Sequence, residues 1–216
     1  MPPVESAPPS KRSGTRSAVE SGADTKDRLL RAARDCLRED GIAGVSARAI
    51  ARHGNLNQAL VFYHFGSVDG LLQAVARTDS ERRSLLYAER LSQAATLADL
   101  VKVGRQIHAV ESDVGNTAVL AQLVAGAARS TDLGAAVRDG MSTWTAMIED
   151  ALGRVLDGTP LAGAVSPADV AYAIASLFLG LELMGGVDGD ATHVESLFTS
   201  LDAVAGLVDL LLRPIG

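Results

Sequence analysis

The hydrophobic residues of this chain recur mainly at every third or fourth position, which is the spacing of amphipathic helices. In the first such segment, which begins near Thr25, the residues Leu29, Ala33 and Cys36 fall on one side of a helical projection, and Gly41 ends the segment. No segment shows the strict alternation of apolar and polar residues that is typical of a strand. The pattern therefore predicts an all-α protein.

Two short helices are predicted after the first one, with a tight turn between them. Ser46 is suited to cap a helix over residues 47–53, and Asn57 is suited to cap another over about 58–64. Between them, we expect Asn55 at positive φ, because Asn tolerates the left-handed region better than most residues. Three helices would thus precede the rest of the chain.

Six longer helices are predicted in the remainder of the chain. Their breaks coincide with Gly, Ser and Pro residues, and Ser166-Pro167 is typical of a helix start because Pro is favoured at the first helical position. The expected ranges are 68–92, 96–112, 116–129, 132–156, 166–185 and 192–212. The chain is therefore expected to hold about nine helices, in which a three-helix N-terminal domain precedes a larger C-terminal helical bundle.

The N-terminal segment differs from the rest in composition. Residues 1–24 are rich in Pro, Ser and Gly, so we expect a disordered tail that cannot bury enough apolar surface to offset the entropy of ordering. Its basic residues Lys11, Arg12 and Arg16 either contact nucleic-acid phosphates or have no role beyond solvation. The helical segments then divide into 25–70 and 71–216.

Charge is distributed unevenly along the chain. The net charge is −6, but residues 1–77 hold 11 basic and 8 acidic residues, whereas residues 78–216 hold 9 basic and 18 acidic residues. This asymmetry favours a polyanion-binding end attached to an acidic body. The bias of 17 Arg over 3 Lys also fits a GC-rich genome, so the charge pattern alone is modest support.

Composition excludes several classes of protein and site. Apolar residues make up 47% of the chain and charged residues 21%, which excludes a wholly disordered or collagen-like chain. The single cysteine, Cys36, excludes an internal disulfide and a multi-cysteine zinc site. The first ten residues have no signal-peptide core, and the apolar run 170–181 is shorter than the roughly 20 residues that span a bilayer. We therefore expect a cytoplasmic protein with no membrane partner.

No pattern of catalytic residues is present. The chain has four histidines, and it contains no His-x-x-x-His motif, nucleophile elbow or phosphate-binding loop. An all-α enzyme is therefore disfavoured, and no catalytic residue, metal ligand or cofactor is expected.

The segment from Ser46 to His64 has the layout of a helix-turn-helix, a motif whose second helix lies in the major groove of DNA. Over about 50 residues the chain resembles the TetR family of bacterial transcriptional regulators, and its Phe-Tyr-His-Phe segment is highly specific to that family. The matching residues are Leu30-Arg31-Ala32-Ala33, Gly41, Val45-Ser46-Ala47-Arg48-Ala49-Ile50-Ala51, Asn57-Gln58-Ala59-Leu60-Val61-Phe62-Tyr63-His64-Phe65-Gly66-Ser67 and Asp69-Gly70-Leu71-Leu72.

The resemblance implies a set of DNA contacts that the chemistry of the side chains supports. The amide of Gln58 can pair with adenine, and Arg48 can reach a guanine edge or a phosphate. Asn57 serves first as a helix cap. The full set of expected contacts is Ser46, Arg48, Asn57, Gln58, Ala59, Phe62, Tyr63 and His64.

The sequence departs from the family pattern at three places. Phe62 stands where the family usually has Tyr, which removes a hydroxyl but keeps an apolar ring for thymine contacts. Val68 stands where a phosphate-contacting Lys is common. Gly54 and Asn55 reverse the family's usual order of a small residue followed by Gly, which puts the turn geometry in question.

The last two helices are the expected dimer interface, since a palindromic operator needs two copies of the motif. Both are apolar over more of their surface than one core face requires, although a place in the core of one protomer would also explain this. The expected interface residues are Ile174, Phe178, Leu181, Leu201, Val204 and Val208.

The resemblance also implies a small-molecule site within the body. Helices between 96 and 156 would enclose a cavity, although each candidate lining residue also fits a core or surface position. The candidates are Arg105, His108, Glu111, Gln122, Trp144 and Met147. The low aromatic content of 4% favours a flexible apolar ligand over a large flat cation.

These observations predict a homodimeric DNA-binding repressor that a small-molecule ligand releases from its palindromic operator. The alternative is a DNA-binding regulator or an architectural or cell-division protein that has no inducer. The two differ in whether the C-terminal core contains an enclosed cavity.

Overall fold

The computed structural model describes residues 14–113, 115–188 and 192–212, and these residues form ten helices. The described residues contain no strand, only one isolated β-bridge between Ala162 and Val165. The predicted all-α class is therefore confirmed. The helices are α1 (Gly14–Glu39), α2 (Gly41–Gly44), α3 (Ala47–Gly54), α4 (Ala59–Phe65), α5 (Val68–Gln93), α6 (Leu97–Asp113), α7 (Asn116–Ala127), α8 (Thr131–Leu156), α9 (Pro167–Asp188) and α10 (Thr192–Leu212).

The start of the first helix corrects the prediction for the N-terminal tail. We expected disorder through residue 24, but α1 begins at Gly14 and includes residues 14–24. Extending an existing helix adds one hydrogen bond per ordered residue, so a nucleated helix can continue through a segment of weak propensity. Residues 1–13, including Lys11 and Arg12, lie outside the described residues.

A short turn of helix, α2, occupies the segment that the sequence predicted as a loop. Gly41 has φ of +66°, which reverses the chain after α1. The backbone N–H of Ile42 then donates to Oε1 of Gln122 in α7 at 2.8 Å. This bond ties the start of the helix-turn-helix region to the body.

Serine side chains cap the starts of four helices. The hydroxyls of Ser46, Ser67, Ser130 and Ser166 accept hydrogen bonds from the backbone N–H groups three residues further on, at 2.9–3.3 Å. Ser130 also donates to the carboxylate of Asp69, which joins the starts of α5 and α8. Each cap satisfies an N–H group that the helix itself leaves unpaired.

The main hydrophobic core joins the helix-turn-helix region to the body. Leu29 of α1 and Ile50 of α3 are fully buried in the same cluster as Leu123 of α7 and Leu133 of α8. The predicted boundary at residue 70 therefore crosses a continuous core. A second, smaller cluster contains Ile148, Leu152 and Ala171.

The C-terminal helices pack as two pairs, α6 with α10 and α8 with α9. The carboxylate of Asp209 in α10 accepts hydrogen bonds from the N–H groups of Leu97 and Ala98 at the start of α6, at 3.0 and 2.9 Å. Towards the other end of this pair, Arg105 and Glu195 form an ion pair at 3.1 Å. These contacts fix α10 along α6.

Within the described residues, no helix taken singly combines the length and apolar character needed to cross a membrane. One strongly bent pair, α4 with α5, meets the criterion by length and composition alone.

Candidate nucleic-acid interface

Both ends of α3 are fixed by hydrogen bonds. The hydroxyl of Ser46 caps its first turn, and the guanidinium of Arg28 in α1 donates to the carbonyl of Gly54 at 3.3 Å. Asn55 follows with φ of +47° and ψ of +52°, so the predicted left-handed turn residue is confirmed. The turn directs the chain from α3 into α4.

The reversed order of Gly54 and Asn55 has a steric explanation. A Cβ at position 54 would lie 3.0 Å from the Cβ of Ala32 and 2.9 Å from Cδ1 of Leu56, which is closer than normal packing allows. Glycine is therefore needed at position 54 for space between α1 and α3. The positive φ falls on the next residue, where Asn accepts it.

The start of α4 is held by Asn57. Its side-chain oxygen accepts a hydrogen bond from the N–H of Ala59 at 2.9 Å, as expected for a capping residue. Val61 is fully buried in the main core, and Phe65 packs partly buried against the same core. These contacts anchor one side of α4 and leave the other side facing solvent.

The solvent-facing side of α4 carries two large aromatic residues. Phe62 is 53% exposed and Tyr63 is 81% exposed. The ring of His64, which is half-buried, lies edge-on to the ring of Tyr63 with 4.8 Å between the centroids. An exposed aromatic pair on a short helix is typical of a binding surface rather than of a solvated one.

An open groove separates α3 from α4 and brings together predicted contacts from both helices. Arg48 of α3 and Gln58 before α4 both line it, and the exposed residues Ser46 and Ala59 lie two positions before Arg48 and one position after Gln58. The groove lining consists of Arg48, Ala51, Arg52, Asn55, Leu56, Asn57 and Gln58.

Arg52 belongs to this groove, and the sequence analysis did not single it out. It lies four residues after Arg48 and therefore on the same side of α3, which is the signal that would have identified it. Its guanidinium donates to Oδ2 of Asp40 at 2.9 Å, and Nε2 of His53 donates to the same oxygen at 3.0 Å. The hydrogen bond from His53 is the main cause that lowers the pKa of Asp40.

Val68, in place of a phosphate-contacting Lys, packs partly buried against the main core at the start of α5. The residue thus contributes to packing between α5 and the helix-turn-helix region.

The body contains an apolar cavity of about 420 Å³. It lies between the α6–α10 pair and the α8–α9 pair, and no charged side chain is present among its described lining residues. The lining consists of Leu91, Leu97, Leu100, Val101, Gly104, Ile107, Trp144, Ile148, Leu152, Val170, Ile174, Leu177, Phe178, Leu181, Phe198, Leu201, Val204, Ala205 and Val208.

The residues predicted to bind the ligand are dispersed. Trp144 lines the cavity, whereas Met147, three residues further along α8, is half-buried outside that lining. Arg105 pairs with Glu195 and lies 5.8 Å from the ring centre of Phe198.

Two further candidates, Gln122 and Glu111, have polar partners away from the cavity, and a third, His108, packs between two aromatic rings. Gln122 accepts the bond from Ile42 that was described above. The ring of His108 lies between those of Phe178 and Phe198, with centroids 5.8 and 5.6 Å away. The polar groups of Arg105, Glu111 and Gln122 thus pair within the protein, and their contact with a ligand stays a prediction.

Glu111 is the centre of a buried ion-pair network. Its carboxylate accepts hydrogen bonds from Arg82 at 3.1 and 3.2 Å, from Arg83 at 3.0 Å and from the hydroxyl of Tyr87 at 2.7 Å. Burial raises the pKa of Glu111, but Arg83, Tyr87 and Arg82 together outweigh burial and lower it. Burial and the bond to Glu111 raise the pKa of Tyr87 to about 12.

All six predicted interface residues line the cavity, so they face the space between α9 and α10. Ile174 and Val204 are also 38% and 59% exposed. Other apolar side chains on these two helices are more exposed than Ile174, and they form the outward face of α9 and α10. These residues are Tyr172, Leu183, Met184, Leu207, Leu210 and Leu211, whereas Leu177, which is 44% exposed, lines the cavity.

Comparison with known proteins agrees with the geometry of α3 and α4. Residues 29–75 match the model for bacterial regulatory proteins of the tetR family. The chain is 26% identical over 166 residues to the HTH-type transcriptional regulator UidR of Escherichia coli K12, an alignment that covers 77% of this chain and 81% of UidR.

Solved structures share the fold. Salmonella enterica GusR superposes with a TM-score of 0.65 at 20% identity, covering 86% of this chain and 95% of GusR. SmeT in its triclosan complex superposes with a TM-score of 0.64 at 22% identity, covering 84% of this chain and 91% of SmeT. These likenesses show the fold of this chain. The helix-turn-helix region, residues 29–75, thus matches the tetR family of bacterial regulatory proteins, and the chain is similar over most of its length to a transcriptional regulator.

Proposed function

We propose that this protein is a homodimeric repressor that leaves a palindromic operator when an apolar small molecule binds its body. In this proposal residues 25–70 read DNA, residues 71–216 dimerise and bind the ligand, and the protein acts in the cytoplasm. The observation that carries the proposal is the exposed side of α4, where Phe62 and Tyr63 lie beside the groove that Arg48 and Gln58 line.

The reading surface combines base and phosphate contacts. With α4 in the major groove, Gln58 faces a base edge and Phe62 contacts thymine methyl groups. Tyr63 and His64 at the end of α4 contact phosphate. Arg48, on the preceding helix, reaches a guanine or a phosphate across the groove.

A genomic pull-down of bound fragments identifies the operator, and fluorescence anisotropy then tests the contacts. We expect Gln58→Ala and Arg48→Ala each to lower the preference for operator over unrelated DNA by about 1–3 kcal/mol. The matched controls are Gln106→Ala and Arg138→Ala, which alter exposed residues on α6 and α8. Unchanged operator preference in both test variants would refute these contacts.

The outward apolar face of α9 and α10 supports the homodimer. Val204, Leu207 and Leu211 are 58–73% exposed and recur at helical spacing along α10. A contiguous apolar surface of this kind on a folded protein marks an interface. We place the contact on this face, which includes the predicted residue Val204, while the other five predicted residues line the cavity beside it.

Sedimentation velocity of Leu207→Glu and Leu211→Glu tests the interface. We expect monomers that remain helical and lose operator binding, because one motif contacts only a half-site. Leu85→Glu is the matched control, since Leu85 is 84% exposed on α5. Dimers of undiminished stability in both α10 variants would place the interface elsewhere.

The cavity supports a neutral, predominantly apolar ligand. Its volume lies within the range of about 300–1,000 Å³ that small-molecule sites occupy. An ionised group would lose hydration there without gaining a charged partner. A bound organic molecule in the relative SmeT, triclosan, is consistent with a ligand site in this fold.

Filling the cavity tests the ligand site. A Cβ at Gly104 would make an ordinary 3.8 Å contact with Phe198, so Gly104→Leu can extend into the cavity. We expect this variant to lose fluorescence enhancement of the neutral probe N-phenyl-1-naphthylamine while keeping operator binding. Gly153→Leu, which meets no atom within 4 Å at Cβ, is the control. Equal probe binding by all three proteins would place the ligand elsewhere.

A connected set of contacts leads from the cavity towards α1. A smaller cavity of about 60 Å³ shares Trp144 with the large one and is lined by Glu111 and Asp79. Asp79 accepts a hydrogen bond from Arg34 of α1 at 2.7 Å. We infer that ligand binding favours a different arrangement of the contact between Arg34 and Asp79. In that arrangement the α4 helices of the two protomers are no longer spaced to fit the operator.

A further inference from the structure

Three side chains with metal-binding atoms converge where the end of α1 meets the end of α3. Oδ2 of Asp40 lies 3.7 Å from Sγ of Cys36 and 3.0 Å from Nε2 of His53. All three ligand atoms lie within 4.8 Å of one another. The sequence separates these residues by up to 17 positions, so the arrangement arises from the packing of α3 on α1.

We propose that Cys36, Asp40 and His53 form a zinc site in the DNA-reading region, with water as the fourth ligand. Zinc bonds of about 2.0–2.3 Å in a tetrahedral arrangement place neighbouring ligand atoms about 3.3–3.6 Å apart. The separations of 3.7 Å and 3.0 Å from Oδ2 of Asp40 fall on either side of that range. A set of one sulfur, one nitrogen and one oxygen ligand suits Zn²⁺ among the divalent ions.

The electrostatic environment favours a cation at this point. α1 ends at Glu39 and α3 ends at Gly54, so the negative ends of two helix dipoles meet beside the cluster. The carboxylate of Glu39 lies 3.9 Å from Nδ1 of His53. A carboxylate on this nitrogen orients the ring and increases the basicity of the other nitrogen.

The three ligands also give an ion a route from solvent. Cys36 is fully buried, whereas the side chains of His53 and Asp40 are 13% and 32% exposed. The ion would enter past Asp40 and meet the sulfur last. Arg52, which donates to Asp40 at 2.9 Å, has a side chain that is 66% exposed and can rotate into solvent.

Zinc would thereby replace Arg52 as the positive partner of Asp40. Arg52 also lines the groove with Arg48 and Gln58, so its release supplies a further cation for DNA phosphate. This consequence rests on the proposed DNA-reading role of the groove, whereas the site itself does not.

Cobalt(II) titration of the untagged, reduced full-length protein tests the site directly. We expect a thiolate-to-cobalt charge-transfer band that saturates at one ion per chain and disappears when zinc is added. Absence of this band in the wild-type protein at large cobalt excess would overturn the proposal, whatever the variants do.

Single substitutions test how much each residue contributes to cobalt binding. Cys36→Ala is expected to abolish the band, and Asp40→Asn and His53→Gln to weaken cobalt binding more than Glu39→Gln, whose loss is about tenfold. Asp35→Asn, on the exposed side of the same helix, is the matched control and should bind as the wild type does. Circular dichroism confirms that each variant is folded. Cobalt affinity that is unchanged in folded Asp40→Asn and His53→Gln would also overturn the site.

Operator binding at several salt concentrations tests the release of Arg52. Because each added phosphate contact changes the salt slope by about 1, zinc should steepen the slope by about that amount in wild type and not in Arg52→Ala. An unchanged slope with zinc bound would overturn the role of Arg52 and leave the site intact. Loss of all operator binding would count against the proposed function, while the cobalt spectrum still decides the site.

Discussion

Replacing Glu111 by Gln removes one charge from the centre of the body while preserving the size of the side chain. Glu111 is 1% exposed and accepts four hydrogen bonds from three donors. One of these donors, Arg83, also donates to the carbonyl of Asn116 at 3.4 Å. The carboxylate therefore joins α6 to α5 close to the start of α7.

The loss of stability in Glu111→Gln depends on how well each partner of Glu111 can be hydrated after the change. The Arg82 side chain is 36% exposed and can be hydrated after the change, whereas that of Arg83 is 18% exposed and Tyr87 is 2% exposed. Breaking a buried ion pair from one side costs about 3–5 kcal/mol. Because one of the two arginines reaches solvent and the Gln oxygen still accepts, we expect the lower end, about 3 kcal/mol.

The loss is measured by urea unfolding at pH 7, followed by circular dichroism. Glu149→Gln, on the exposed side of α8, is the control and should change stability little. A loss below about 1 kcal/mol for Glu111→Gln would contradict the reasoning, since it would equal that of an exposed pair.

The dependence on pH has a definite sign. The folded-state pKa of Glu111 is lowered from its ordinary value of 4.5, so its stabilisation is complete above that pH and lost as pH falls through the lowered pKa. The difference in stability between wild type and Glu111→Gln should therefore be constant near neutrality and shrink in acid. A difference that grows on acidification would refute this assignment.

Four further changes test how the helix ends are built, each by urea unfolding. Gly54→Ala should lower the free energy of unfolding by about 1–3 kcal/mol, because the added methyl group meets Ala32. Asn55→Gly should remain within about 1 kcal/mol of wild type. A larger loss for Asn55→Gly than for Gly54→Ala would contradict the steric explanation. Ser46→Ala should cost about 1 kcal/mol through loss of the α3 cap, and an unchanged stability would refute that role. Asp209→Ala should cost about 1–2 kcal/mol, since two N–H groups at the start of α6 lose their acceptor; a smaller loss than that of Ser46→Ala would show that water replaces it.

The helices and the solvent-facing side of α4 were predictable because their signals are local. Ser46, Asn55 and Asn57 set the ends of α3 and α4 through bonds to residues at most four positions away. The exposed and buried sides of α4 likewise follow from the order of residues within one short helix.

The ligand and interface residues depended on contacts that spacing does not reveal. The partner of Gln122 is Ile42, 80 positions earlier in the chain, and Arg105 pairs with Glu195. The sequence identified α9 and α10 as apolar on several sides. Which side faces the cavity depends on how α10 packs against α6, and this is a property of the tertiary structure.

The continuous core limits which parts of this protein can be exchanged with those of another protein. Leu29 and Ile50 are buried in the same core as Leu123 and Leu133. Cutting the chain after residue 70 would therefore leave the residues on both sides of the cut without apolar partners. A chimera that joins α1–α4 to the body of another protein with this fold would need matching residues on α7 and α8 as well. New operator specificity is therefore more readily obtained by exchanging exposed residues of α3 and α4 than by exchanging the whole N-terminal segment.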